Sequence, residues 1–303
     1  MGEAAALVAA FTWSATSVAM ARLTMSVTPV AMSTLRLVIA SLILPFVLLF
    51  SGETGQLTAA PMSALVAMLG SGILAYAIGD TLYLSALKRL GIQKAFPITM
   101  ALFILLTVIG GIVWLGEDFS WTQAVGGVAV GAGIFLIVIP RQTAVAAPVA
   151  PGSPVRRLRD SSQVVGYSIV VLVGVFWAAA TLWLADGRGD LGPFAASALR
   201  TPAGAVGMLT FGLVTAPSQL AAPFKRRELI LGIAAVAVVG TLFGSLLYVY
   251  AVGEAGPGKT SILNACAPLL ALPLSILVLK EPFTRLVAAG TIVCVAGIVL
   301  VVA

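Results

Sequence analysis

The chain has 303 residues, of which 60% are apolar and 9% charged, and its mean hydropathy is +1.11. A soluble globule carries about a quarter charged residues, so this composition excludes an ordinary water-soluble domain. The formal charge of +6 falls in short loops rather than on one face, which argues against nucleic acid and makes the charge a report on membrane topology.

Stretches apolar and long enough to cross a bilayer, roughly 17–25 residues, are expected at about 4–23, 28–50, 62–87, 95–115 and 121–139. After a Pro/Ala-rich, then basic linker at 141–163, five more follow at about 164–185, 192–215, 228–252, 259–279 and 284–302. The stretches lack strand-like alternation, and backbone groups in lipid must be satisfied internally, so helices are expected. The opening "MGEAAALVAA" has no basic n-region and reads as the start of a span, not a cleavable signal. Cys266 and Cys294 both fall within spans and read as small buried apolar residues.

Two copies of one unit are legible. Trp13 and Arg36 recur as Trp177 and Arg200, each 164 residues later (177 − 13, 200 − 36). Tyr83, Gly91 and Lys94 recur 165 later as Tyr248, Gly256 and Lys259, and Glu117, Gly126 and Gly133 recur 164 later as Glu281, Gly290 and Gly297. Five spans is an odd number, so the second copy must enter the membrane inverted. The expected fold is therefore an all-α membrane protein of ten transmembrane helices, with residues 1–140 and 164–303 as two inverted five-helix repeats. Inverted repeats are a transporter architecture.

Loop charges orient it. If alternate loops face the cytoplasm from the one after the first span, that side holds thirteen Lys and Arg and the other only Arg188 and Lys259. Both termini are expected outside, in an inner or plasma membrane. Small residues at helix-packing spacing (Gly127 with Gly131, Gly240 with Gly244, Ala75 with Gly79) predict close helix contacts within one protomer, with span five also open to a homodimer.

The phrases "FTWSATSVA", "YLSALKRLG" and "LGEDFSWTQAVGGVAVGAGIFLIV", with "VLKEPFTRLVAAGTIVCVAGIVLVV" in the second copy, resemble the drug/metabolite transporter superfamily and its ten-helix EamA-like members. The resemblance covers nearly the whole chain. It implies transport of small metabolites, with export of amino acids as the leading role.

Three charges lie within spans: Arg36, Asp80 and Arg200. Ionised groups in hydrocarbon cost at least ~2.5–3.5 kcal/mol on insertion scales and often mark a pathway. Arg36 lies seven residues past Pro29, and Asp80 eight before Lys88, which at ~1.5 Å per residue sets both about 10–12 Å deep from the same side. They read as a salt bridge, or Asp80 as a site for protons, the candidate coupling ion. The position matching Asp80 in the second copy is Ser245, so Arg200 must find backbone carbonyls, an acid such as Asp190, or a substrate carboxylate. Pro97, Pro268 and Pro273 mark expected helix breaks or gates in spans four and nine. Asn264 and Thr99 near them, with Trp13, Tyr76, Tyr83, Trp177, Arg200 and Tyr248, form the expected substrate-binding set.

"GEAGPGKT", Gly253 to Thr260, matches the P-loop pattern but joins two spans with no strand before it, so no nucleotide is expected there. The chain has no histidine, hence neither the usual general base nor the commonest zinc ligand. No nucleophile–base cluster can be named, and no cofactor or enzyme activity is expected. The readings left are an exporter working by alternating access, a facilitative carrier or importer of a small anion, and a non-transporting scaffold or sensor.

Overall fold

The computed structural model describes residues 1–23, 26–90, 92–118, 120–138, 154–267, 269–270, 273 and 284–303. Every regular element among them is helical. In chain order they are α1 (Gly2–Leu23), α2 (Pro29–Ser51), α3 (Thr54–Ala59), α4 (Met62–Gly72), α5 (Asp80–Leu90), α6 (Ile92–Leu115) and α7 (Trp121–Val138). Then come α8 (Pro154–Gly187), α9 (Pro193–Thr215), α10 (Pro217–Ala221), α11 (Arg227–Val236), α12 (Ser245–Asn264) and α13 (Arg285–Val302).

Local chemistry sets the ends. Thr28 caps α2 by accepting from the Ala31 amide at 3.4 Å, with Pro29 at the first helical position, and Gly52 closes it in the left-handed region. Thr284 caps α13 in the same way, at 3.3 Å from the Val287 amide. Two long helices contain a π-helical stretch. Ile73–Gly79 joins α4 to α5, and Ala237–Gly244 joins α11 to α12. Widened turns of this kind are frequent at functional sites.

The surface is inside-out relative to a soluble protein. Phe46, Phe50, Val113, Val128, Val214 and Ile292 are exposed large hydrophobics, while Thr12, Ser14, Thr16 and Thr107 are buried and return their hydroxyls to carbonyls of their own helices. That satisfies polar groups where no water is available. Trp114 and Trp121, beside the α6–α7 turn, are also exposed.

Among the described residues six helices are long and apolar enough to cross a membrane, or seven if α9 and the segment after it, bent by 116°, count as one span. The chain is thus an all-α, multi-pass membrane protein. The number is below the ten expected, partly because the apolar stretch of α7, Trp121–Ile137, is short and because Arg227–Asn264 runs as one 38-residue helix. At ~1.5 Å per residue that run is about 57 Å long, nearly twice a ~30 Å hydrocarbon core. It is broken at Gly256 (φ 81°, ψ 158°).

Helices α7 and α13 pack along a glycine seam. A Cβ on Gly126 would meet the Gly297 carbonyl at 2.7 Å, and one on Gly133 the Gly290 carbonyl at 2.7 Å. The seam uses Gly126 and Gly133 in place of the Gly127/Gly131 pair expected from spacing: Gly127 meets Ile262, and Gly131 faces open space. The α1 helix packs on α11–α12, α8 on α4, α5 and α6, and α2 on α9.

Candidate functional site

The two π-stretches face the two repeated tryptophans reciprocally. Trp13 on α1 donates its indole N–H to the Gly240 carbonyl at 2.8 Å. Trp177 on α8 donates to the Ala75 carbonyl at 3.2 Å. Ala75 and Gly240 are 165 residues apart, as are Tyr83 and Tyr248 (240 − 75, 248 − 83). Each tryptophan also meets the matching tyrosine: Trp13–Tyr248 with centroids 5.5 Å apart, and Trp177–Tyr83 at 5.2 Å. The approach requires glycine on the opposite helix, since a Cβ on Gly79 would lie 2.6 Å from the Trp177 indole nitrogen and one on Gly244 2.7 Å from that of Trp13. Phe103 adds an edge contact to Trp177, and Tyr248 shares a 2.8 Å hydrogen bond with Thr181.

The intramembrane charges sit among these elements. Arg36 on α2 donates to the Asp80 carboxylate at 2.7 Å and contacts the Thr241 hydroxyl at 3.4 Å. Their side chains are 20% and 16% exposed, so the pair is largely withdrawn from solvent. Arg200 on α9 is 3% exposed. Its Nε donates to the Ser71 hydroxyl at 3.1 Å, and its guanidinium lies 5.2 Å from the Tyr76 ring centroid, a cation–π geometry. Asp190 is not its ion-pair partner. Tyr76 in turn donates to Ser245 at 3.2 Å, so the residue standing where the first copy has Asp80 is engaged by a phenol. Tyr76, Tyr83, Tyr248, both tryptophans and all three charges thus meet around the two π-stretches.

Thr99 and Asn264 are buried, and the Thr99 hydroxyl and Asn264 side-chain oxygen have no hydrogen-bond partner among the described residues. Their neighbours Met100, Phe103, Leu263 and Ala265 share one core cluster, against which Trp177 packs. An unpartnered buried polar atom needs an explanation, and an absent ligand or water is one.

The helix break expected at Pro97 is not present: α6 runs unbroken from Ile92 to Leu115. Pro97 is its sixth residue, so the lost donor affects only a first-turn carbonyl, where the disruption is small. The α12 helix ends at Asn264 in a turn at 265–266 whose first residue, Ala265, keeps right-handed helical angles, and Ser14 donates to the nearby Ala267 carbonyl. Pro268 lies outside the described residues, and Pro273 is described only as an isolated, exposed residue.

Two carboxylates outside the expected set hold helix N-termini. Glu53 accepts from the Phe194 and Ala195 amides at 3.0 and 2.9 Å, and Gln56 accepts from Gly192 at 2.7 Å, capping α9 from a distant turn. Glu117 accepts from the Gly258 amide, at the start of the helical turn that follows the Gly256 break. The P-loop-like segment therefore presents its amide to a carboxylate of the same chain. The signal was the recurrence of Glu117 as Glu281; its target was not readable. Among the described residues, no three His, Cys, Asp or Glu side chains are grouped to hold a metal.

A family model described as the EamA-like transporter family matches residues 1–139 and again 164–303. A crystal structure of a protein with 18% identical residues superposes at a TM-score of 0.76, over 99% of this chain and 96% of the other, which supports the fold alone. A 95-residue stretch is 33% identical to the probable 4-amino-4-deoxy-L-arabinose-phosphoundecaprenol flippase subunit ArnF of Shewanella sediminis (strain HAW-EB3). That stretch is 31% of this chain and spans 60% of the relative's length. With both of its long segments matched, the chain belongs to the EamA-like transporter family.

Proposed function

We propose that the chain is a secondary active transporter that exports amino acids or similar small metabolites by alternating access. In this reading residues 1–140 and 164–303 are two inverted five-helix repeats, joined by 141–163. The 38-residue run then crosses the membrane once before the Gly256 break, and a further span begins after it. The reciprocal tryptophan-to-carbonyl bonds support the repeat, because each copy treats the other alike. The protein works as a monomer or homodimer.

The observation that carries the site is Arg200: a guanidinium 3% exposed, among the described residues without a carboxylate partner, and held by one hydroxyl and one ring face. A substrate carboxylate would complete it. Trp13, Trp177, Tyr83 and Tyr248 contact the apolar part of the cargo, and Thr99 and Asn264 take its polar groups. Movement of the π-interrupted helices past the tryptophans exposes the site to one side at a time, and Asp80, when released from Arg36, carries a proton.

The same arginine supports a second reading, a facilitative carrier or importer of a small anion. The partial relative is named as a probable flippase subunit for a lipid-linked amino sugar, so a polar headgroup belongs among the cargoes to try. Proteoliposomes loaded with labelled amino acids, anionic metabolites and amino sugars, with and without a pH gradient, separate these readings. Saturable movement accelerated by the gradient supports coupled export, and movement indifferent to it supports the facilitator.

A further inference from the structure

The α6–α7 turn puts a charge where charge is poorly supported. Gly116 (φ 70°) ends α6 in the left-handed region, the Glu117 amide returns to the Gly111 carbonyl at 2.9 Å, and the side chain is thereby aimed at α12. Its carboxylate lies against three glycines. A Cβ on Gly111 or Gly256 would collide with its oxygens, and one on Gly258 would sit 2.9 Å from Oε2. Gly111 belongs to the first matched segment, while Gly256 and Gly258 belong to the second. The carboxylate thus lies in the seam between the two halves, at one membrane face.

Other bonds across that seam cluster on the same face. Glu53 and Gln56 cap α9, and Glu3 on α1 lies 3.7 Å from Lys259 on α12. The structure is therefore tied shut here. Like Glu53, Glu117 has no basic side chain among the described residues within ion-pair distance, but one amide meets it where two meet Glu53.

The ionisable groups around it are otherwise accounted for. Asp118 lies on its own turn. On α12, Glu254 is exposed and Lys259 is met by Glu3, which also holds the Met1 amino group at 3.7 Å. At the end of α8, Asp186 is the acid, and Arg188 donates to the Val249 carbonyl. The near ends of α7 and α9 carry no charge beyond Asp190 in the turn before α9, and the last turn of α13 carries none.

We infer that Glu117 is a proton-binding site on the face opposite the basic loops, and that its protonation favours the closed state of that face while ionisation favours opening. Burial costs a charged carboxylate more than one amide bond returns. Burial accordingly pushes the Glu117 pKa up from its ordinary carboxylate value, against the opposing pull of the Gly258 amide. Opening would return the group to water and lower it again. The closed face therefore binds the proton more tightly, and by linkage the proton favours closure. This inference rests on the alternating-access reading above and adds to it a site of proton action separate from Asp80.

The test is a distance across the seam by double electron–electron resonance. Spin labels are placed at Thr122→Cys on α7 and Glu254→Cys on α12, both exposed positions, with Cys266 and Cys294 replaced by alanine, in lipid nanodiscs without substrate. The expected result is a short distance at acid pH that gives way to a longer one as pH rises through the raised Glu117 value. In Glu117→Gln, a neutral isostere, the short distance should hold at every pH. A distance indifferent to pH in the parent protein, or Glu117→Gln opening with pH as the parent does, would overturn the inference, as would Glu117→Gln being open throughout. The parent titration alone decides the matter if the variant fails to fold. The readout needs no substrate, so a pH-dependent distance in a protein that moves nothing would sink the transport reading and leave the proton site standing.

Discussion

Replacing Asp80 by asparagine separates a structural ion pair from a coupling site. The Arg36–Asp80 contact is 2.7 Å long, with side chains 20% and 16% exposed. Removing one partner of a buried pair costs about 3–5 kcal/mol. Partial exposure and the Thr241 hydroxyl 3.4 Å from Arg36 soften the loss, so about 2–3 kcal/mol is expected for Asp80→Asn and a similar loss for Arg36→Gln. The double variant replaces the pair by two amides that can bond each other, and it should lose less than the two singles summed, by about 2 kcal/mol. Unfolding in mixed micelles, followed by tryptophan fluorescence, measures all four corners of the cycle. If the two losses simply add, the pair does not stabilise the fold and this reasoning is refuted. The same proteins, reconstituted, test the second role: the double variant should still transport but no longer respond to a pH gradient. Full, gradient-responsive transport by Asp80→Asn would end the case for Asp80 as a proton carrier.

Gly256→Ala should be the most damaging single methyl in the second half. A φ of 81° with ψ of 158° is essentially a glycine conformation, costing about 1–3 kcal/mol for other residues, and the new Cβ would strike the Glu117 carboxylate; loss of folded yield in fluorescence-detected size-exclusion reads it. Trp13→Phe and Trp177→Phe each remove an indole donor from a π-turn carbonyl, and since the Ala75 carbonyl also accepts from the Asp80 amide, each should cost about 0.5–1.5 kcal/mol in the same unfolding assay. Unequal responses, with one variant silent, would argue against reciprocal roles. Arg200→Lys keeps the charge but loses the planar fork over Tyr76 and the Ser71 bond. It should raise the substrate KM about tenfold, worth ~1.4 kcal/mol, and an unchanged KM would remove Arg200 from the site.

The membrane class and the duplicated unit could be read from letters alone, because hydropathy and a 164-residue recurrence need no geometry. The meeting of the tryptophans with Gly240 and Ala75 could not. Its acceptors are backbone carbonyls, and a π-turn has no residue signature to distinguish it from the α-helix around it. Pro97 misled for the opposite reason: proline is a loud letter, but its effect depends on how far into the helix it falls, and here it falls near the start. Glu117 was visible as a repeated acid, yet its partner is an amide more than a hundred residues away. The break at Gly256 was hidden inside a segment that resembles a phosphate loop. Arg200 was legible as a charge needing a partner, and its actual contacts, a hydroxyl and a ring face, were among the ones spacing does not suggest.

The central claim is transport through a site built on Arg200. Purified protein in liposomes, loaded with a labelled amino-acid panel and diluted into buffer with an opposing or a null pH gradient, tests it most directly, with Arg200→Ala liposomes alongside. Saturable efflux that quickens with the gradient and is lost in Arg200→Ala is the predicted result. Efflux equal to that of empty liposomes across amino acids, anionic metabolites and amino sugars, or efflux untouched by Arg200→Ala, would contradict the account.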